Sequence, residues 1–253
     1  MANQYFVFKK QPEIGEVFTV DDKAAVHHIF TVMRTSVGQK LQLVFEEGQV
    51  GLAEVVSSDQ RTVRLLEMLD VQMELPVHIT VALGFPKGDK LEFISEKATE
   101  LGASAIWAAP FKWSVAKWDN KKLAKKKEKL DKIVLGAAEQ SRRQILPEIR
   151  FFEKLSELVA TFSQFDQVLI AYEESAKAGE QAKLAQSMAS LKAGQKVLLL
   201  FGPEGGIAPE EITLFEQAGA GAQSIGLGPR IMRAETAPLY ALAAFSTYFD
   251  LLK

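Results

Sequence analysis

The feature that most constrains this chain is an unbroken apolar run, Val197 to Phe201, that stops abruptly at Gly202-Pro203-Glu204-Gly205-Gly206. A continuous run of this kind, bounded by glycines, reads as a parallel strand buried on both faces, and such strands occur where helices cover the sheet. Pro209 then stands where a first helical residue would, with Glu210 and Glu211 at the positive end of the helix dipole. A second glycine-rich turn follows, with Gly226 and Gly228, and leads through Pro229, Arg230, Met232 and Arg233 to Glu235. Open α/β sheets bind ligands beyond the carboxyl ends of their strands, where both turns lie. The first turn lacks the GK[ST] ending of a Walker loop and the G-x-G-x-x-G spacing of a dinucleotide site. Pro203 also removes one amide donor. The residues alone leave two readings open, a small-molecule cofactor loop and a tight structural turn.

The rest of the chain alternates accordingly. Val77 to Gly84, Ala105 to Ala109, Val168 to Tyr172, Val197 to Phe201 and Ala222 to Ile225 read as strands. Between them lie helices over 89–101, with Asp89 as cap and Gly102 at the end, over 120–140, near 180–191 and over 209–218. An apolar helix from Thr236 to Leu252 closes the chain. Residues 5–69 differ: short β-branched and aromatic runs punctuated by Gly15, Gly38 and Gly48 suggest a small barrel. One helix interrupts them, over 22–34, with Asp21 or Asp22 as cap. The expected division is 1–72 for the β-rich domain and 73–253 for the α/β domain.

Charge is unevenly placed. The chain carries a net −2, yet residues 112–150 hold 12 basic and 5 acidic residues. A local basic surface is the usual footprint of phosphate binding, although a solvated helix face looks the same in sequence. With no cysteine and three histidines, neither disulfides nor a metal site is expected. No apolar run approaches the ~18 residues of a membrane span, and a cytoplasmic location is expected.

Five segments then carry a resemblance: HHIFTVMR (27–34), KGDKLEFISEKATELGA (87–103), AAEQSRRQILPEI (137–149), LLLFGPEGGIAPEEI (198–212) and LGPRIMRAETAPLYAL (227–242). Together, from about residue 5 to the C-terminus, they resemble the RsmE family. These are bacterial methyltransferases acting on N3 of one uridine of 16S ribosomal RNA, in the decoding region of the small subunit. The resemblance implies a PUA-like β-barrel RNA-binding domain, then a SPOUT-type parallel sheet with a C-terminal trefoil knot. It also implies S-adenosyl-L-methionine as cofactor and a homodimer. Carried over, the cofactor residues are Tyr172, Phe201, Gly202, Pro203, Glu204, Gly205, Gly206, Leu227, Gly228, Ile231, Met232 and Arg233, with Glu173 as a neighbour. Two departures stand out: Lys112-Trp113-Ser114 replaces an Arg-Ser pair, and Ala234 replaces the threonine of a common LRTETA.

The chemistry of that reaction suggests roles. Uracil N3 carries a proton, and as it leaves, negative charge spreads to the flanking carbonyl oxygens, which a fixed guanidinium receives best. Arg233 is the first candidate and Arg230 the second. Glu235 either accepts the proton, holds an arginine or starts the final helix. RNA contact is expected from Arg34, Lys87, Lys121, Lys122, Lys125, Arg142 and Arg143. Other readings remain: another SPOUT RNA methyltransferase, acting on ribose 2′-oxygens or guanine, or a non-catalytic ribosome assembly factor.

Overall fold

The computed structural model describes residues 3–177, 182–219 and 221–253. The chain forms two compact units, residues 1–74 with 138–145, and residues 75–137 with 146–253.

The first unit is a five-stranded sheet of β1 (Gln4–Phe6), β2 (Val17–Thr19), β3 (Lys40–Val44), β4 (Val50–Ser57) and β5 (Thr62–Leu69), ordered β1-β3-β4-β5-β2. Only the β1–β3 pair is parallel. Register shifts at Leu52/Ala53 and Val55/Ser57 bend the β4–β5 ribbon, as bulges do. Strand alternation supplies the core: Val63 and Leu65 are fully buried, and Arg64 between them is exposed. The helix expected over 22–34 is shorter and changes form. Asp22 caps α1 (Lys23–Val26) through the Ala25 amide at 2.9 Å, and His27–Val32 then forms a π-helical turn. Thr35 closes the wide turn, donating both its amide and its hydroxyl to the Ile29 carbonyl at 3.0 and 2.8 Å.

Residues 138–145 join this unit through Glu74, and no shift in composition marks that return of the chain. The Glu74 carboxylate accepts from Arg143 (2.6 Å to Nη2, 2.9 Å to Nε) and from the amides of Gln144 and Ile145 at 2.7 and 3.0 Å. Arg143 is 2% exposed. This corrects the expectation that Arg143 faces RNA: a buried guanidinium needs its carboxylate, and this one is spent on holding the chain.

The second unit holds a six-stranded, wholly parallel sheet. Its strands are β6 (His78–Gly84), β7 (Ala105–Ala109), β8 (Glu148–Phe151), β9 (Gln167–Ala171), β10 (Lys196–Phe201) and β11 (Gln223–Ile225), ordered β11-β9-β10-β6-β7-β8. Its helices are α2 (Lys90–Glu100), α3 (Asn120–Gln140, of which residues 138–140 belong to the first unit), α4 (Leu155–Val159), α5 (Glu173–Lys177), α6 (Lys183–Ser190), α7 (Pro209–Gln217) and α8 (Thr236–Ser246). The apolar run of β10 serves two cores. Val197, Leu199 and Phe201 pack with Ile94, Leu242 and Phe245, while Leu198 and Leu200 pack with Trp107, Phe162 and Phe215 on the opposite face.

Several elements depart from the sequence reading. β8 is a short edge strand whose Glu148 and Arg150 face outward, too brief for its period to be legible. Asp89 makes no side-chain cap; its carbonyl receives the Glu92 amide at 2.9 Å instead. The final α-helix passes into a π-helical turn over Thr247–Leu252. Part of the helix expected near 180–191, residues 180 and 181, lies outside the described residues.

Candidate active site

The site grows from the carboxyl ends of three neighbouring strands, β11, β9 and β10. After Phe201 the chain doubles back so tightly that a Cβ on Gly202 would stand 2.7 Å from the Gly206 carbonyl carbon. Gly206 takes a left-handed φ of +81°, a conformation only glycine adopts freely. Glu211 braces the exit of this loop. One of its carboxylate oxygens accepts from the Ala208 amide at 3.0 Å, capping α7, and the other from the Lys112 amide at 2.7 Å. Pro209 opens that helix, as expected of its position.

The second loop leaves β11, turns at Gly228 with φ +88°, and ends where the Arg233 carbonyl receives the amides of Thr236 and Ala237 at 2.9 and 3.0 Å. Together the loops line a cavity of about 750 Å³. Tyr172, Phe201, Gly202, Pro203, Glu204, Gly205 and Gly206 line it from one side of the sequence, and Leu227, Gly228, Ile231, Met232 and Arg233 from the other. Arg230 and Glu173 line it too. The Arg233 side chain is 85% exposed, and Ile231 is also largely exposed. The guanidinium is therefore open to solvent.

Glu235 is outside the residues lining the cavity and is engaged elsewhere. Its carboxylate lies 3.0 Å from the Lys90 ammonium and 4.0 Å from the Arg233 guanidinium. Lys90 also holds Glu204, at 3.0 Å. One lysine thus ties the first glycine loop to the end of the second. The Glu235 and Glu204 carboxylates, accepting from the Lys90 ammonium, hold it above its usual range. The Lys90 hydrogen bond, then Glu235's own backbone amide, holds the Glu235 carboxyl below its usual range. Burial pushes Glu204 up, but its own amide, the Lys87 amide and Lys90 outweigh that and leave it lowered. All three groups are charged at neutral pH. A depressed carboxylate held against an ammonium is a poor proton acceptor.

Lys90 is the residue that sequence reasoning missed. A signal was present: as the first residue of α2 it sits at the positive end of a helix dipole, where a lysine is unfavourable unless carboxylates meet it.

The residues expected to meet RNA fall into separate groups. Lys87 and Lys122 line a second recess of the same unit, while Lys121 and Lys125 are exposed on α3. Arg34 and Arg142 belong to the first unit, and both take left-handed backbone, with φ +49° and +60°.

Residues 73–246 match the family described as an RNA methyltransferase domain, and residues 20–67 the family described as an RNA methyltransferase PUA domain. The chain is 40% identical to the ribosomal RNA small subunit methyltransferase E of Bacillus subtilis, over 99% of this chain and 98% of that one. The protein of the same name from Mycobacterium tuberculosis is 32% identical, over 96% and 91%. Among solved structures, one from Legionella pneumophila in complex with bound cofactor SAM is 27% identical, with a TM-score of 0.80 over 98% of both chains. The Neisseria gonorrhoeae ribosomal RNA small subunit methyltransferase E, bound to S-adenosyl methionine, shares the fold, with a TM-score of 0.81 at 24% identity over 99% of this chain and 100% of that one.

Proposed function

The chain belongs to the ribosomal RNA small subunit methyltransferase E family, and on that premise we propose that it transfers a methyl group from S-adenosylmethionine to N3 of one uridine of 16S ribosomal RNA in the decoding region of the small subunit. The observation that carries this reading is the meeting of two glycine loops and two arginines around one cavity.

The residues present fit the cofactor. About 750 Å³ lies in the range of small-molecule sites. Backbone at Gly228, where a Cβ would meet nothing within 4 Å, leaves room for a flat ring, and Leu227, Ile231 and Met232 supply apolar walls. Bound there, S-adenosylmethionine supplies a methyl group on a sulfonium, an electrophile with an excellent leaving group. The protein then has to position and desolvate the nucleophile. The target uracil is turned out of its stack to reach the site. Arg233, with Arg230 three residues before it, receives the negative charge that gathers on the uracil carbonyl oxygens as N3 gives up its proton to water. Glu235, fixed by Lys90, holds the Arg233 end of the loop rather than taking that proton.

In the same reading, residues 1–72 form the RNA-binding PUA-like domain and 73–253 the methyl-transfer domain, whose glycine loops are tied into a trefoil knot. The working form is a homodimer in the cytoplasm. Exposed Tyr240, Leu251 and Leu252 near the C-terminus offer apolar surface for pairing. The test is methyl transfer to small subunits from cells lacking the modification, read by nucleoside mass spectrometry. 3-Methyluridine supports the reading. A methyl group on ribose or guanine, or none, overturns it.

A further inference from the structure

The basic helix has two unlike sides. On α3, Lys127 holds Asp131 at 2.9 Å, Lys129 holds Glu92 at 2.6 Å and Lys132 holds Glu128 at 2.9 Å. At its start the pattern is the reverse. Lys87, Lys117, Lys122 and Lys126 line one recess of about 440 Å³ around Trp118, and no carboxylate lines it. Among the described residues none of these four ammonium groups has a salt-bridge partner. Lys122 and Lys126 also stand one helical turn apart, a like-charge spacing that is unfavourable by itself.

The floor of the recess is built from packed aromatic rings. Trp118 stacks on Phe85 with ring centroids 4.5 Å apart and meets the edge of Phe151 at 6.0 Å, and Lys126 lies over its indole at 4.6 Å. With Phe85 against the ring and Lys126 over it, the indole has no free face on which a base could stack. The first turn of α3 is already capped, because Asp119 accepts the Lys122 amide at 2.8 Å. The attraction for an anion comes from the ammonium groups and not from the helix end. The recess also adjoins the candidate active site. The Lys87 amide donates to Glu204 at 3.1 Å, the same carboxylate that Lys90 holds in the cofactor loop.

We propose that this recess is a phosphate seat: it grips the backbone phosphates of the RNA beside the turned-out uridine, without reading a base. The inference rests on the RNA methyltransferase reading above. Unpaired lysines around an apolar floor give a sequence-independent hold that fixes the strand while the neighbouring nucleotide enters the methyl site.

The test compares two triple variants of the full chain that remove equal charge. K117A/K122A/K126A empties the recess, and K127A/K129A/K132A removes the paired lysines of the same helix. Each is measured with unmodified small subunits for KM, kcat and the salt dependence of binding, and with S-adenosylmethionine for cofactor affinity. The recess variant should raise KM by about tenfold or more and flatten the log–log salt slope by about 2, as expected for two to three lost phosphate contacts. Its kcat and cofactor affinity should match wild type, and the paired variant should stay within about twofold of wild type throughout. Restoring charge with K117R/K122R/K126R should restore the slope, which a merely structural role would not require. Equal effects of the two alanine triples, or none from the recess triple, overturn the phosphate seat. If the wild type transfers no methyl group to any subunit, the function reading fails, while the salt slopes still decide whether the recess holds RNA.

Discussion

Replacing Lys90 with methionine keeps most of the apolar stem, one heavy atom shorter, and removes the ammonium that bridges the two loops. In the structure that charge spans two contacts of 3.0 Å, to Glu204 and to Glu235, with all three side chains between 20% and 29% exposed. Partly screened pairs of this kind contribute about 1 kcal/mol each. The loss is therefore about 2 kcal/mol, with a further cost from two carboxylates left facing one another. If the clamp pre-aligns the two glycine loops, Lys90→Met should weaken S-adenosylmethionine binding by about 10- to 30-fold, each 1.4 kcal/mol being tenfold. Turnover should fall as well, because Arg233 loses its anchored neighbour. The pH dependence has a definite sign. Glu204 and Glu235 sit below the ordinary 4.5, so the clamp is complete above that value and is lost as pH falls through their lowered values. Lys90 sits above 10.5, so on the alkaline side the clamp is complete below that value and is lost as pH rises through the raised one. The difference between wild type and variant should stay flat across neutral pH. Titration calorimetry with the cofactor at several pH values reads all of this. Wild-type affinity and turnover in Lys90→Met would refute the reasoning and mean that backbone contacts alone hold the loops.

Arg233→Ala should leave cofactor affinity unchanged and lower turnover on small subunits by ~10²–10³, the size of one lost charge-stabilising donor; unchanged turnover would take Arg233 out of the chemistry. Burial pushes Glu139 up to about 7, so its ionisation opposes folding as pH rises. Gln can still accept the Phe6 amide, and Glu139→Gln should change stability little below pH 4.5 but stabilise by on the order of 2 kcal/mol at pH 8. Denaturant melts at both pH values check this, and a gain that does not grow with pH would refute it. Arg34 spends backbone strain at φ +49°, so Arg34→Gly should hold or raise stability by about 0.5–1 kcal/mol while weakening RNA binding. Unweakened RNA binding in a stable Arg34→Gly variant would remove Arg34 from the interface.

How far the chain was readable depends on how far apart the partners lie. The run Val197 to Phe201 read as a buried strand because it is short, wholly apolar and ended by Gly202-Pro203, and the sheet places it between two other strands. Gly202 to Gly206 read as a turn left open between a cofactor loop and a structural one, and the structure draws it so tight that a Cβ on Gly202 would strike the Gly206 backbone. These are local facts, and the resemblance of five segments extended them to a family and a reaction. The short edge strand over Glu148–Phe151 and the π-helical turn over His27–Val32 were not readable, since each depends on a hydrogen-bond pattern that residue types do not encode.

Three lysines and an arginine mark the boundary most clearly. As letters, Lys90, Lys122, Lys129 and Arg143 are alike, each a cation in a basic or mixed stretch. Tertiary structure gave them different tasks: Lys90 bridges two loops, Lys129 is neutralised by Glu92, Lys122 is left unpaired beside Trp118, and Arg143 is buried on Glu74. A sequence states which charges a chain carries and where its backbone must turn. Which carboxylate meets which cation is decided only when strands distant in sequence come to lie side by side, because the interaction acts over a few ångströms of space and takes no account of chain separation.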